Sequence, residues 1–264
     1  MCTVVVAHDP DAEVPLLIAA VRDELLDRPW EWPGRHWPEY PALIGGRDVR
    51  AGGTWLAVDP GDGGAPPRVG AVLNGHPPAA PPEPLPPGAV RPTRGRLPLR
   101  AAAGGGLGLG PRDLRHHESF HLLAAEPAGA VLYGWDGRDL TERPVPPGVS
   151  VIVNTGLDPD DPRARAHAPR FAAARPDTGR AALRTATAVG ELWGEWPDLL
   201  DAAARGPARS VSGGDPSSLT ARVDLGDGRL WATSSMSLVA CAPGGLRYAF
   251  TAAPGDPAAW RMVR

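Results

Sequence analysis

Short apolar runs, punctuated by Gly, Pro and Asp turns, dominate the chain, and most are too short to be helices. Residues 2–7 are apolar and β-branched and stop at Asp9-Pro10-Asp11, which predicts a buried strand followed by a turn. The run at residues 14–20 continues into Val21-Arg22-Asp23-Glu24 and fits either a buried strand or a short helix. Strand-like pieces at 42–46 and 53–58 flank Gly45-Gly46-Arg47-Asp48 and Gly52-Gly53, and another occupies 69–74. Residues 119–126 and 130–136 read as an antiparallel pair about Pro127-Ala128-Gly129. A strand at 149–154 ends at Asn154, and closing strands are predicted at 219–223, 230–240 and 246–252. Residues 171–196, rich in alanine, form the best long helical region. Residues 76–98 are Pro-rich, and 104–110 are nearly all glycine in a spacing that does not match the dinucleotide fingerprint. Many strands and few helices predict antiparallel sheets rather than βαβ units, in a single domain over 1–264.

Composition narrows the chemistry. The 264 residues are 42% hydrophobic and 22% charged, as in a soluble globular protein with a sizeable core. A net charge of -3 leaves no basic surplus to neutralise phosphates, so no nucleic-acid partner is expected. Every basic side chain is arginine, which excludes lysine Schiff bases and a Walker-type lysine. Cys2 and Cys241 make no disulfide framework. No apolar stretch reaches the roughly 18 residues of a membrane span. The start of the chain shows neither a basic segment nor a signal-length apolar run, so a cytoplasmic protein is expected.

Cys2 follows Met1 directly. Removal of Met1 before this small residue would put a thiol and a free α-amine on one Cα, a nucleophile beside a base of pKa about 7.7–8.0. Equally, Cys2 fits a small apolar residue opening a strand. If 14–24 is a strand, Arg22 and Glu24 share one face and Asp23 takes the other. An Asp there could orient an amine and an Arg could stabilise a thiolate, or the three could form a surface ion network. Asn74 and Asn154 end strands, where side-chain amides suit an oxyanion hole or ordinary turn chemistry. Trp30, Trp32 and Trp37 crowd a Pro-containing loop and could wall an apolar ligand site or cap the core edge. His117-Glu118-Ser119-Phe120-His121 matches the H-E-x-x-H zinc motif, which requires a helix, with His167 or Glu191/Glu195 as third ligand only by elimination.

Taken in order, several of these segments resemble the transport-and-Golgi-organisation family, also named for its NRDE motif. They are Met1-Cys2, Ala19-Ala20-Val21-Arg22-Asp23-Glu24, Arg28-Pro29, Trp37, Gly45-Gly46-Arg47-Asp48, Gly52-Gly53-Thr54-Trp55-Leu56, Val72-Leu73-Asn74 and Thr93-Arg94-Gly95. Ser119-Phe120-His121-Leu122-Leu123 resembles the family's Gly-Phe-Asn-Leu-Leu strand, and Val153-Asn154-Thr155-Gly156-Leu157-Asp158 its Leu-Ser-Asn segment. Val21 replaces the leading Asn of the motif, and Ser234 stands where relatives carry an arginine.

The resemblance implies an α+β, four-layer αββα sandwich of antiparallel sheets, similar to N-terminal-nucleophile hydrolases that cleave carbon–nitrogen amide bonds. It implies that Cys2 attacks, Asp23 orients its amine, Arg22 lowers the thiol pKa, and Asn74 and Asn154 bind the oxyanion. It also implies a strand at 119–123, which could not place His117 and His121 one helical turn apart as zinc ligands. The substrate would be a small amide or acyl compound, with no cofactor or metal. The rival implication is a non-catalytic carrier of an apolar ligand such as haem or a fatty-acyl species, with Trp30, Trp32, Trp37 and Trp55 near the pocket rim.

Overall fold

The ambiguous run at residues 14–20 is a strand, and its alternation sets the centre of the fold. The computed structural model describes residues 2–61, 64–210 and 213–263. In it β1 (Thr3–His8) and β2 (Leu16–Leu25) pair antiparallel. Next come β3 (Trp30–Gly34), β4 (Ile44–Asp48), β5 (Leu56–Asp59), β6 (Arg68–Asn74), β7 (Phe120–Glu126), β8 (Gly129–Trp135) and β9 (Leu140–Pro144). These seven make one meandering antiparallel sheet in sequence order. β10 (Gly148–Val153), β11 (Gly156–Leu157), β12 (Arg222–Asp224), β13 (Leu230–Ala242), β14 (Gly245–Thr251) and β15 (Arg261–Met262) join β1 and β2 in the other sheet. Its order is β11-β10-β1-β2-β13-β14-β15, with β12 also on β13. The predicted antiparallel sandwich is therefore present.

Side-chain alternation splits the core. Leu16, Ile18 and Ala20 of β2 join Val4 and Val6 of β1 against Leu56, Val58, Leu73 and Leu123 of the other sheet. Leu17, Ala19 and Val21 face the opposite way, towards helices. Those helices are α3 (Pro162–Ala173), α4 (Arg180–Thr185), α5 (Gly190–Trp193) and α6 (Trp196–Arg205), which follow α1 (Leu97–Gly104) and α2 (Pro111–Leu114). α3 lies on β10 and β1 and α5 on β13, whereas α1 covers β5, β6 and β7 of the other sheet. Helix, sheet, sheet and helix thus stack as four layers. Among the described residues no helix is long and apolar enough to cross a membrane.

Two expectations need correction. Residues 171–196 do not form one long helix. α3 starts earlier, at Pro162 behind the Asp161 cap, and ends at Ala173. Pro176, Gly179, Gly190 and a left-handed Gly194 (φ 52°) then divide the stretch. The Pro-rich segment runs directly into α1, whose Leu97-Pro98 start is a favourable helix opening. Lastly, Trp30 and Trp32 sit on strand β3 rather than in a loop; Pro33 is tolerated because β3 is an edge strand.

Candidate functional site

Cys2 lies one residue before β1, at one end of the sandwich. The register pairs Thr3 with Val21 and Val4 with Ile152, so one step beyond the first pair and two beyond the second set Cys2 between Arg22 of β2 and Asn154 after β10. Cys2 is half-buried and packs beside Trp30 and Trp55. Burial pushes its thiol pKa up and the Asp23 charge adds to this, while the Asp23 backbone amide and the Arg22 charge pull it down. The balance keeps the sulfur protonated at neutral pH. Cys241 is a buried core residue of β13, remote from this end by register.

The β2 alternation separates Arg22 from Asp23. Arg22 points between the sheets. Its Nη1 donates to Ser234 Oγ at 2.9 Å, and its guanidinium lies 4.2 Å over the Trp55 ring. Its contact with Glu24 is long, 3.8 Å, and Glu24 is shared with Arg28. Asp23 points to the helical side and is fully engaged. Oδ1 accepts from Thr233 Oγ1 and Oδ2 from Arg209 Nη2, each at 2.6 Å. Burial raises the Asp23 carboxyl above its ordinary range; the Arg209 charge and the Thr233 hydroxyl oppose that. Thr233 and Ser234 reach their two targets because β13 bulges there: Thr233 opposes Asp23, Ser235 opposes Arg22, and Ser234 is the extra residue. Ser234 is thus an Arg22 partner. Val21 is simply core, buried beneath the helices.

Asn154 is buried, and its Nδ2 donates to the main-chain carbonyl of Asn74 at 2.8 Å. Its own carbonyl accepts from His76 N and His121 Nε2. The Asn74 side chain is exposed, so the structure joins the two asparagines through the Asn74 backbone rather than its amide. His121 lies on β7 and His117 in the bend before it, so the H-E-x-x-H segment is not helical. Burial lowers the His121 pKa, and its pairing with a carbonyl makes Nε2 the protonated nitrogen. Among the described residues, no group of three or more His, Cys, Asp or Glu side chains is placed to hold a metal ion. A cleft of about 210 Å³ opens beside Asn154, lined by Gly75, His76, Ser119, His121, Trp135 and Thr155 among others.

The tryptophans divide. Trp30 meets Trp32, Trp55 and Phe250 at ring distances of 5.6–6.1 Å, and Trp32 is 52% exposed. Trp37 is not with them. It is buried beneath α1 with Leu43, Ala57, Leu99 and Ala102.

The paired-glycine segments have a spatial reason. A Cβ on Gly46 would overlap the Trp55 ring, and one on Gly53 would overlap the Gly95 backbone. Gly46 therefore clears space for the indole under Arg22, and Gly53 lets Thr54 N reach Gly95 O at 2.8 Å, which anchors Arg94. Gly46→Ala is expected to displace Trp55 and to destabilise the protein by about 1–3 kcal/mol. Urea unfolding checks this; an unchanged midpoint would show that Gly46 is not needed for the indole.

Sequence reasoning missed Arg209, Thr233 and Arg163. Arg163 Nη1 donates to Thr3 Oγ1 at 3.1 Å and reaches the Cys2 carbonyl at 3.5 Å, while Asp161 holds its other nitrogens. No local pattern marks any of the three.

A comparison with protein families settles the kinship of the ordered segments. Residues 1–173 match the family model for Transport and Golgi organisation 2. The chain belongs to that family. No curated protein matches it. The family segment holds Cys2, Arg22, Asp23, Asn74, Arg94 and Asn154. Both side-chain partners of Asp23, Arg209 and Thr233, lie beyond it.

Proposed function

We propose that this member of the Transport and Golgi organisation 2 family is a cytoplasmic cysteine amidohydrolase or acyltransferase of the N-terminal-nucleophile type, acting on a small amide or acyl compound. The observation behind this is the placement of Cys2 between Arg22 and Asn154 with the Asp23 amide on its thiol. A thiol kept protonated by burial needs a base at the moment of attack. With Met1 removed, the α-amine of Cys2 supplies one. The amine takes the thiol proton as sulfur bonds to the carbonyl carbon, then delivers it to the leaving nitrogen as the carbon–nitrogen bond breaks. Water hydrolyses the resulting thioester and releases the acid, or an acceptor takes the acyl group. Asn154, clamped on the Asn74 carbonyl, is the better of the two asparagines to meet the oxyanion. Asp23 holds the amine end of the strand, itself fixed by Thr233 and Arg209.

The test is intact mass before and after iodoacetamide across pH. Loss of Met1 and one modification at Cys2 are expected, with a rate that rises with pH through a single midpoint. In Arg22→Gln that midpoint is expected to move higher, because a charge that lowers the thiol pKa is gone. Retained Met1, or a Cys2 that is not alkylated, would refute the mechanism.

A second reading has its own observation. The Trp30–Trp32–Trp55–Phe250 cluster leaves Trp32 52% exposed beside the same end of the sheets, which suits an apolar ligand such as haem or a fatty-acyl chain. A haem titration with a Soret shift lost in Trp32→Ala would favour a carrier. No shift would remove haem from consideration.

A further inference from the structure

Four guanidiniums converge on the Cys2 end, and three of them are already committed. Arg209 is paired with Asp23 at 2.6 Å and Arg163 with Asp161 at 3.1 Å. Arg22 stacks on Trp55, bonds Ser234 and has Glu24 at 3.8 Å. Arg94 differs. Its Nη1 donates to the Ser119 carbonyl at 2.9 Å, and no carboxylate lies within ion-pair distance among the described residues. It is half-buried; the acidic groups that act on it are Glu118, which is exposed, then Cys2, and Glu24, which Arg22 and Arg28 share.

Nor is Arg94 a loosely held surface residue. Its backbone is pinned where Gly95 touches Gly53 and bonds Thr54 N. Ser119, which takes its Nη1, also bonds Gly75 N, next to His76 and so to Asn154 beside Cys2. A partly desolvated cation held at the Cys2 end of the sandwich, without a carboxylate of its own, is a site for an anion.

We propose that Arg94 binds a negatively charged group of the substrate, so that the amide or acyl compound handled at Cys2 is an anion, carboxylate being the simplest case. The proposal rests on the nucleophile reading only for where the reacting carbonyl sits. Arg94 is then a specificity-determining residue, with its remaining N–H groups directed at the substrate's charge. Arg22 stays with the sulfur.

The test compares iodoacetate with iodoacetamide, which have similar reach and the same leaving group but differ in charge. Both consume the same thiolate, so their rate ratio at Cys2 cancels any change in thiol pKa. The iodoacetate-to-iodoacetamide ratio is expected to exceed that of glutathione in the same buffer by about tenfold. Arg94→Gln should abolish the excess and Arg94→Lys should keep most of it. High salt should shrink it. An independent arm uses Cys2→Ala protein with N-acetylglycine and its neutral amide. Only the carboxylate is expected to raise the melting temperature, and only when Arg94 is present. A glutathione-like ratio, or an excess that survives Arg94→Gln, overturns the proposal, as does an equal response to acid and amide. If Cys2 is inert to both reagents while the carboxylate-specific stabilisation persists, the nucleophile reading fails and the anion site stands.

Discussion

Arg209→Met is expected to destabilise the protein by about 3–5 kcal/mol, because it leaves a buried carboxylate without its counter-charge. Asp23 has no exposed side-chain surface, and its Oδ2 is taken by Arg209 at 2.6 Å. The loss is also expected to depend on pH in a set direction. Burial raises the folded-state carboxyl pKa of Asp23, so between the unfolded and folded values the native protein binds more protons. Stability then falls as pH rises through that window. Without Arg209 the main opposing charge disappears, the folded value climbs further, and the window extends upward. The gap between wild type and variant should widen from about pH 4 towards neutrality. Urea unfolding at several pH values measures it. A gap that stays constant with pH, or one under about 1 kcal/mol, would mean the pair contributes little. Asp23→Asn, neutral at every pH, should flatten the dependence in both backgrounds.

The part of this arrangement that lies within one strand was legible beforehand. Period-two alternation puts Arg22 and Asp23 on opposite faces once residues 16–25 are a strand, and the structure shows that division. The strand pieces ending at Asn74 and Asn154 were legible for the same reason. What makes Asp23 more than an acidic residue on a strand was not. Arg209 is 186 positions away and Thr233 210; Thr233 meets Asp23 because β13 pairs with β2, and Arg209 arrives on a segment bridged to Ala221, itself bonded to Thr233. No local propensity encodes such a pairing. Trp37 shows the opposite difficulty. Its nearness in sequence to Trp30 and Trp32 grouped it with them, but Pro38 and the turn that follows take it to the far face of the second sheet. The helical stretch misled because alanine content outweighed Pro176, Gly179 and Gly194, which stand between or at the ends of the helices. Gly46 and Gly53 were visible as motif residues; only the Trp55 ring and the Gly95 backbone explain them.

A chain ended after residue 173, where the family match stops, is expected to fail to fold. We propose that residues 1–264 form one domain, because the remainder is woven into the centre of the first sheet. β2 pairs with β13 over residues Leu16 to Leu25, so truncation bares the whole outer edge of a strand reading Leu-Leu-Ile-Ala-Ala-Val. An apolar edge of that kind invites aggregation. The helix-side core would also lose Trp193, Trp196, Leu200, Leu219, Met236 and Leu238, all fully buried. At about 1.5–3 kcal/mol for each large side chain, that loss reaches the whole stability of an ordinary domain, about 5–15 kcal/mol. Asp23 would lose both Thr233 and Arg209 as well. Expression of 1–173 should therefore give insoluble or non-cooperatively melting protein, and co-expression of residues 174–264 as a separate chain should restore a soluble complex. A soluble 1–173 with a sharp thermal transition would show that the family-matched segment folds by itself. Asp23 would then be held by something other than the C-terminal strands, and the charges around Cys2 would be set by β1, β2 and β10 alone.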